Sequence, residues 1–261
     1  MDGRDAERMA AARAEMLAAI VAAAREDGRI AGLVEYGSGG EGRADPWSDL
    51  DLALFVRDGD LAAFRAGWKE WAAQFGRLLL AYVGGIGHPW TIYDTQPAPL
   101  RVDFAFHPES GVERILDWPN APLSTASFVL HDATGGKLSA AAELLVGRSL
   151  APADPAETFA QVSGDFWYYA LRTWARLRRG DWWGAYADAQ HILLGNLTAL
   201  LRLEAGAIAR WRASSAAAWL GGAINSERLA ALERSLPAAG GADLAASILA
   251  MALLADEAGS A

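Results

Sequence analysis

Strand signals stop near residue 150. Before that point short alternating or apolar runs are interleaved with helical stretches; beyond APADPAE, where Pro152 and Pro155 punctuate the chain, every periodic segment is helical. A chain that changes period once, at a proline-marked junction, is restricted to an α+β architecture. The expectation is a mixed sheet with helices over 1–150, followed by an all-helical bundle over 151–261. Its 261 residues suffice for two cores of ordinary size.

Along the first part, Met9, Ala12, Met16, Ile20 and Val21 recur at helical spacing, predicting an amphipathic helix from about Asp5 to Glu26. AGLVEY, LDLALFV, LLLAYV, PWTIYD, LRVDFAF and SFVLHD read as strands, and GGIGHP as a turn. Leu61, Phe64, Trp68 and Trp71 predict a helix over Asp58–Phe75, and a further helix is expected over Lys137–Val146. In the second part helices are expected near Glu157–Arg179, Trp182–Glu204, Ala207–Leu220, Ser226–Leu236 and Ala242–Glu257, with a frayed EAGSA end.

The chemistry concentrates in GSGGEGRADPWSDLDLALF, Gly37 to Phe55. Side chains of a strand alternate, so Asp49 and Asp51 share one face while Leu50, Leu52 and Leu54 take the other. Two carboxylates roughly 7 Å apart at Cα repel each other unless a cation, a basic partner or solvent compensates. Asp103 stands in a second alternating strand, with Arg101 and Ala105, opposite Val102, Phe104 and Phe106. If the two strands are neighbours, three carboxylates converge on a patch suited to magnesium, which takes a few carboxylates and completes its shell with water and phosphate oxygens. The glycine-rich turn ahead of them offers backbone N–H groups and the Ser38 hydroxyl to an anion.

Gly-Ser, a glycine-containing loop and SDLDLALF together resemble the nucleotidyltransferase superfamily. RIAGLVEYGSGGEGRADPWSDLDLALFV, APLRVDFAFHPES with its following ILDW, and FWYYALRTWARLRRGDWWGAYADAQHILLGNLTALL look most like the lincosamide nucleotidyltransferases, with aminoglycoside adenylyltransferases as close relatives. The resemblance implies a polymerase-β-like catalytic domain over 1–150 and a helical substrate-binding domain over 151–261. It also implies an enzyme that uses Mg2+ and ATP, or another nucleoside triphosphate, to place a nucleoside monophosphate on a hydroxyl of a small antibiotic. By resemblance Gly37 and Ser38 hold triphosphate, with Arg43 and Ser48 as further nucleotide-binding candidates. Asp49 and Asp51 hold the metal, and Asp103 is a third ligand or the base. Relatives often carry a glutamate where Asp103 stands, and a lysine or arginine where this chain has Glu41; Arg43 is the substitute.

Asp165–Tyr169 and Asp181–Trp183 are candidate walls of an acceptor pocket, against the alternative that helical aromatics are core. His88, His107, His131 and His191 have no zinc-site spacing. The net charge of −9 argues against a nucleic-acid partner. With no cysteine, no long uncharged apolar run and acids at the start, the chain reads as cytoplasmic, without a membrane partner. The sequence is compatible with a homodimer and marks no subunit surface. Two other readings compete: a protein AMP-transferase of the toxin-antitoxin type and a catalytically silent nucleotide-binding module.

Overall fold

The computed structural model describes residues 3–85, 87–209, 211, 220–236 and 244–259. These fall into two compact units, Met1–Arg148 and Ser149–Ala261.

The first unit opens with helix α1 (Gly3–Glu26), which buries Met9, Met16, Ile20 and Ala24 at the spacing the sequence predicts. Strand β1 (Ile30–Tyr36) runs into a single helical turn, α2 (Gly37–Gly40), and then β2 (Leu50–Val56). The helix expected over Asp58–Phe75 is two short ones, α3 (Leu61–Ala66) and α4 (Trp68–Ala73), broken at Gly67. Glycine is a poor helix former, and burial of Phe64, Trp68 and Trp71 is reached by both pieces without a continuous rod. Strands β3 (Leu78–Val83), β4 (Pro89–Tyr93) and β5 (Leu100–Pro108) follow, then a 3₁₀ segment, Glu109–Asp117, that periodicity did not indicate. SFVLHD is split: helix α5 (Thr125–Phe128) is closed by a capping box from Ser124, and only Val129–Asp132 forms β6. Helix α6 (Lys137–Glu143) is shorter than expected.

The six strands form one sheet in the order β3-β4-β5-β2-β1-β6. All neighbours are antiparallel except β2 and β5, which are parallel. Alternation then sorts side chains to two covered faces. Leu50, Leu52, Leu54, Val102, Phe104 and Phe106 pack with α1, α3 and α4 on one. Val34, Ala53, Phe55 and Ala105 pack with Val112, Ile115, Phe128, Leu138 and Ala142 on the other.

Among its described residues the second unit's regular elements are all helices. Helix α7 (Pro155–Arg178) starts on an Asp154 cap, and α8 (Trp182–Asp188) continues through one π turn, Ala189–Leu193, into α9 (Leu194–Glu204). Helices α10 (Leu220–Ala223), α11 (Ser226–Ser235) and α12 (Leu244–Gly259) complete it around Phe166, Leu197, Leu201, Met251 and Leu254. Of the helix expected over Ala207–Leu220, residues 210 and 212–219 lie outside the described residues, and 207–209 are not helical. The closing EAGSA does not fray at its first residues, because α12 runs to Gly259; residues 260 and 261 lie outside the described residues. Among the described residues no helix is long and apolar enough to cross a membrane.

Candidate active site

The parallel register of β2 and β5 places Asp51 directly beside Asp103. Asp49 precedes the strand by one residue, and its carboxylate joins the other two: one oxygen from each of Asp49, Asp51 and Asp103 lies within 4.8 Å of the others. Opposite ligands of a magnesium ion stand about 4.2 Å apart, at about 2.1 Å per bond, so small side-chain rotations close this set around one ion. Three hard oxygen donors suit magnesium or calcium rather than a soft metal.

Burial raises the Asp51 carboxyl to about 7, with Asp49 and Asp103 adding repulsion and Arg101 partly opposing it. Asp103 is also raised, first by burial, against a lowering by Arg101. Tyr36, which pairs with Asp51 across β1 and β2, is held protonated by burial and by the same three carboxylates. The arrangement is short of positive charge, and that is the electrostatic property of a cation site.

Part of the compensation comes from the chain itself. Arg101 forms an ion pair with Asp49 through its Nη2, which also lies 3.4 Å from Asp103 Oδ2. The spacing Arg101-x-Asp103 puts both on one face, so the pattern was visible in the sequence; the contact to Asp49 needed the register. The guanidinium remains largely solvent-exposed.

The glycine turn is shaped by this cluster. Gly37 has φ +66°, and a Cβ there would stand 2.2 Å from Asp51 Oδ2. A Cβ at Gly39 would stand 1.8 Å from Glu35 Oε1. These glycines therefore permit close approach, and the segment is a helical turn rather than a loose loop. No side chain caps its first N–H groups. Glu35 is buried and ion-paired with Arg13 of α1, which also donates from Nε to the Asp49 backbone carbonyl at 3.3 Å. Helix α1 is thereby tied to β1 and to Asp49 just ahead of β2.

The remaining candidates are held by contacts of their own. Arg43 donates from Nε at 2.9 Å to Glu41, whose side chain is turned inward and also accepts from the Ala121 N–H at 3.4 Å. Glu41 is thus an internal partner of Arg43. The Ser48 hydroxyl closes the DPWS turn, accepting from the Asp45 N–H at 2.9 Å and donating to Asp45 Oδ1 at 3.1 Å. Ser38 lies in α2, where its carbonyl accepts from the Arg43 N–H at 2.8 Å. In the helical unit Asp181 caps α8 and pairs with Arg176, while Asp188 is buried between Arg172 and Arg176. Of DFWYY, Phe166 is core; Tyr168 and Trp183 are largely exposed. His107 packs between Phe55 and Trp118, and no histidine joins a metal cluster among the described residues.

No protein-family model matches the chain, and no curated protein does. Among solved structures, the chain is similar to an aminoglycoside 6-adenyltransferase from Bacillus subtilis. The match has 13% identity, covers 95% of this chain and 88% of that one, and has a TM-score of 0.42.

Proposed function

We propose that this chain is a magnesium-dependent nucleotidyltransferase that moves a nucleoside monophosphate, AMP from ATP, to a hydroxyl of a small antibiotic, a lincosamide in first place and an aminoglycoside in second. The observation that carries the reading is the convergence of Asp49, Asp51 and Asp103 on one end of the sheet, with the Gly37 turn pressed against Asp51. A catalytically inert sheet has no need to collect three mutually repelling carboxylates beside a turn so tightly fitted.

The acceptor oxygen attacks the α-phosphorus, the bond from that phosphorus to the bridging oxygen breaks, and pyrophosphate leaves with the electron pair. The acceptor's proton passes to Asp103, the carboxylate that borders both the triad and the open part of the sheet. Asp49, Asp51 and Asp103 would hold magnesium, which when bound would neutralise the charge developing on the phosphoryl oxygens. The Gly37–Ser38 turn presents backbone N–H groups to the phosphates.

Asp49→Ala and Asp51→Ala are each expected to lower turnover about a hundredfold or more, the scale of losing a charge-stabilising group. The assay incubates the protein with ATP, magnesium and a panel of lincosamides, aminoglycosides and other hydroxylated antibiotics, and reads adducts by mass. A gain of one nucleotide monophosphate supports the reading. Near-normal turnover in either variant refutes the metal site. A nucleotide adduct on a co-incubated protein instead supports the protein AMP-transferase, and ATP binding without any adduct supports the silent module.

A further inference from the structure

The carboxylates belong to a row that crosses five strands. Tyr36 pairs with Asp51, Asp51 with Asp103, Asp103 with Trp90, and Trp90 with Tyr82. All five residues are in register across the sheet, so their side chains rise from the same face. The next row on that face runs from Arg101 to Ile92 to Leu80. Over β2 and β1 this face is covered by the core of Phe128, Leu138 and Ile115. Over β4 and β3 that packing stops: Leu80 is 45% and Tyr82 42% exposed. Leu80, Tyr82, Trp90, Ile92, Arg101 and Asp103 line a pocket of about 310 Å³ there.

The shelf has a defined surface. The Trp90 and Tyr82 rings meet edge to face with centroids 5.7 Å apart. Gly84 lies against the Trp90 indole so closely that a Cβ would stand 2.5 Å from it, which fixes the height of the ring. An apolar floor is therefore continuous with a carboxylate at one wall and a guanidinium at the rim. The volume is at the lower end for small-molecule sites, which pair apolar linings with a few polar groups.

We infer that this shelf seats the acceptor: a small hydroxylated molecule with an apolar ring or alkyl face and at most a single positive charge, laid on Trp90 and Tyr82 with its hydroxyl toward Asp103. The inference rests on the transferase reading and sharpens it. Ring and alkyl surface is favoured by burial against the two aromatics. A polycation would bring several ammonium groups onto an apolar floor that offers them Asp103 alone among its lining residues, with Arg101 beside it, so most of their desolvation is uncompensated. Only Asp103 belongs to both the triad and the shelf, so a hydroxyl beside it lies next to the metal-binding carboxylates.

Lincomycin, with an alkyl-bearing ring and a single amine, and kanamycin, a polycation, are the probes. Calorimetry of each against the full-length protein, with Tyr82→Ala, Trp90→Ala and Trp90→Phe, reads the shelf without turnover. Expected are lincomycin binding that weakens at least tenfold in both alanine variants and recovers in Trp90→Phe, and weaker kanamycin binding. Tyr82 is partly exposed and outside the packed core, so its truncation stands as the test if Trp90→Ala does not fold. Absent lincomycin binding, affinity changed less than twofold by Tyr82→Ala, or tighter kanamycin binding overturns the inference. The mass assay separates the two failures: an adduct on any acceptor with no shelf dependence leaves the transferase standing and removes the shelf alone.

Discussion

Arg101 occupies the place a metal would need to balance. Its guanidinium contacts Asp49 and Asp103, two of the three acids, yet is more than half exposed and so pays little to leave. A divalent ion entering the triad competes with it for the same oxygens. Arg101→Ala is therefore expected to tighten Mn2+ binding, by about tenfold if one charge-assisted contact of about 1.4 kcal/mol is removed from competition. Calorimetric titration with Mn2+ measures this without reference to activity; unchanged or weaker binding would show that the guanidinium does not oppose the ion. The acids themselves were legible because a charged residue in an apolar alternating strand stands out. The Glu41–Arg43 pair was not legible for the opposite reason: a salt bridge between near neighbours in a loop leaves no periodic trace, and nothing in the sequence marks Glu41 as turned inward.

At the scale of elements, β1, β2 and β5 were legible from alternation alone, whereas the row from Asp51 to Tyr82 depended on strand order. Sequence gives the face a residue takes within its strand, but the neighbour comes from pairing between distant segments, and β4 and β5 carry no local mark of their register. The 3₁₀ segment Glu109–Asp117 escaped because its nine residues, set between Pro108 and Pro119, make too short a run to mark a helix. It nonetheless matters, since beside it Trp118 and Phe55 enclose His107 at the end of β5. Burial first, then the charges of His88, Arg65 and Arg114, lower His107 to about 4. An unfolded histidine binds its proton near 6.5, so between about pH 6.5 and 4 the unfolded state takes up a proton that the folded one refuses. Stability contributed by neutral His107 is present above the unfolded value and is lost as pH falls toward 4. His107→Leu should remove that part of the pH dependence of the thermal midpoint, and parallel curves for variant and wild type would count against it.

The whole molecule is two cores in series. The sheet unit buries its own aromatics on both faces, the helical unit closes around Phe166 and Met251, and Ser149–Asp154 between them has no helix or strand. Proteinase K at low ratio is expected to cut first within that segment and leave two resistant fragments, because backbone without helix or strand pairing adapts most readily to a protease cleft. First cuts within α7 or α9 would argue against independent units. The parallel pairing of β2 with β5 has a further thermodynamic result. Between the two strands the chain must make α3, α4, β3 and β4 before it returns, so nothing holds Asp51 near Asp103 until the sheet has closed. The unfolded chain therefore has no preassembled ion site, and a divalent cation held by the three acids would be a ligand of the native state alone. Magnesium at a hundred times its dissociation constant should add about 2.7 kcal/mol to unfolding, raising the melting temperature of the wild type and not of Asp51→Asn. Such a shift would make the ionic composition of the medium part of the folding equilibrium.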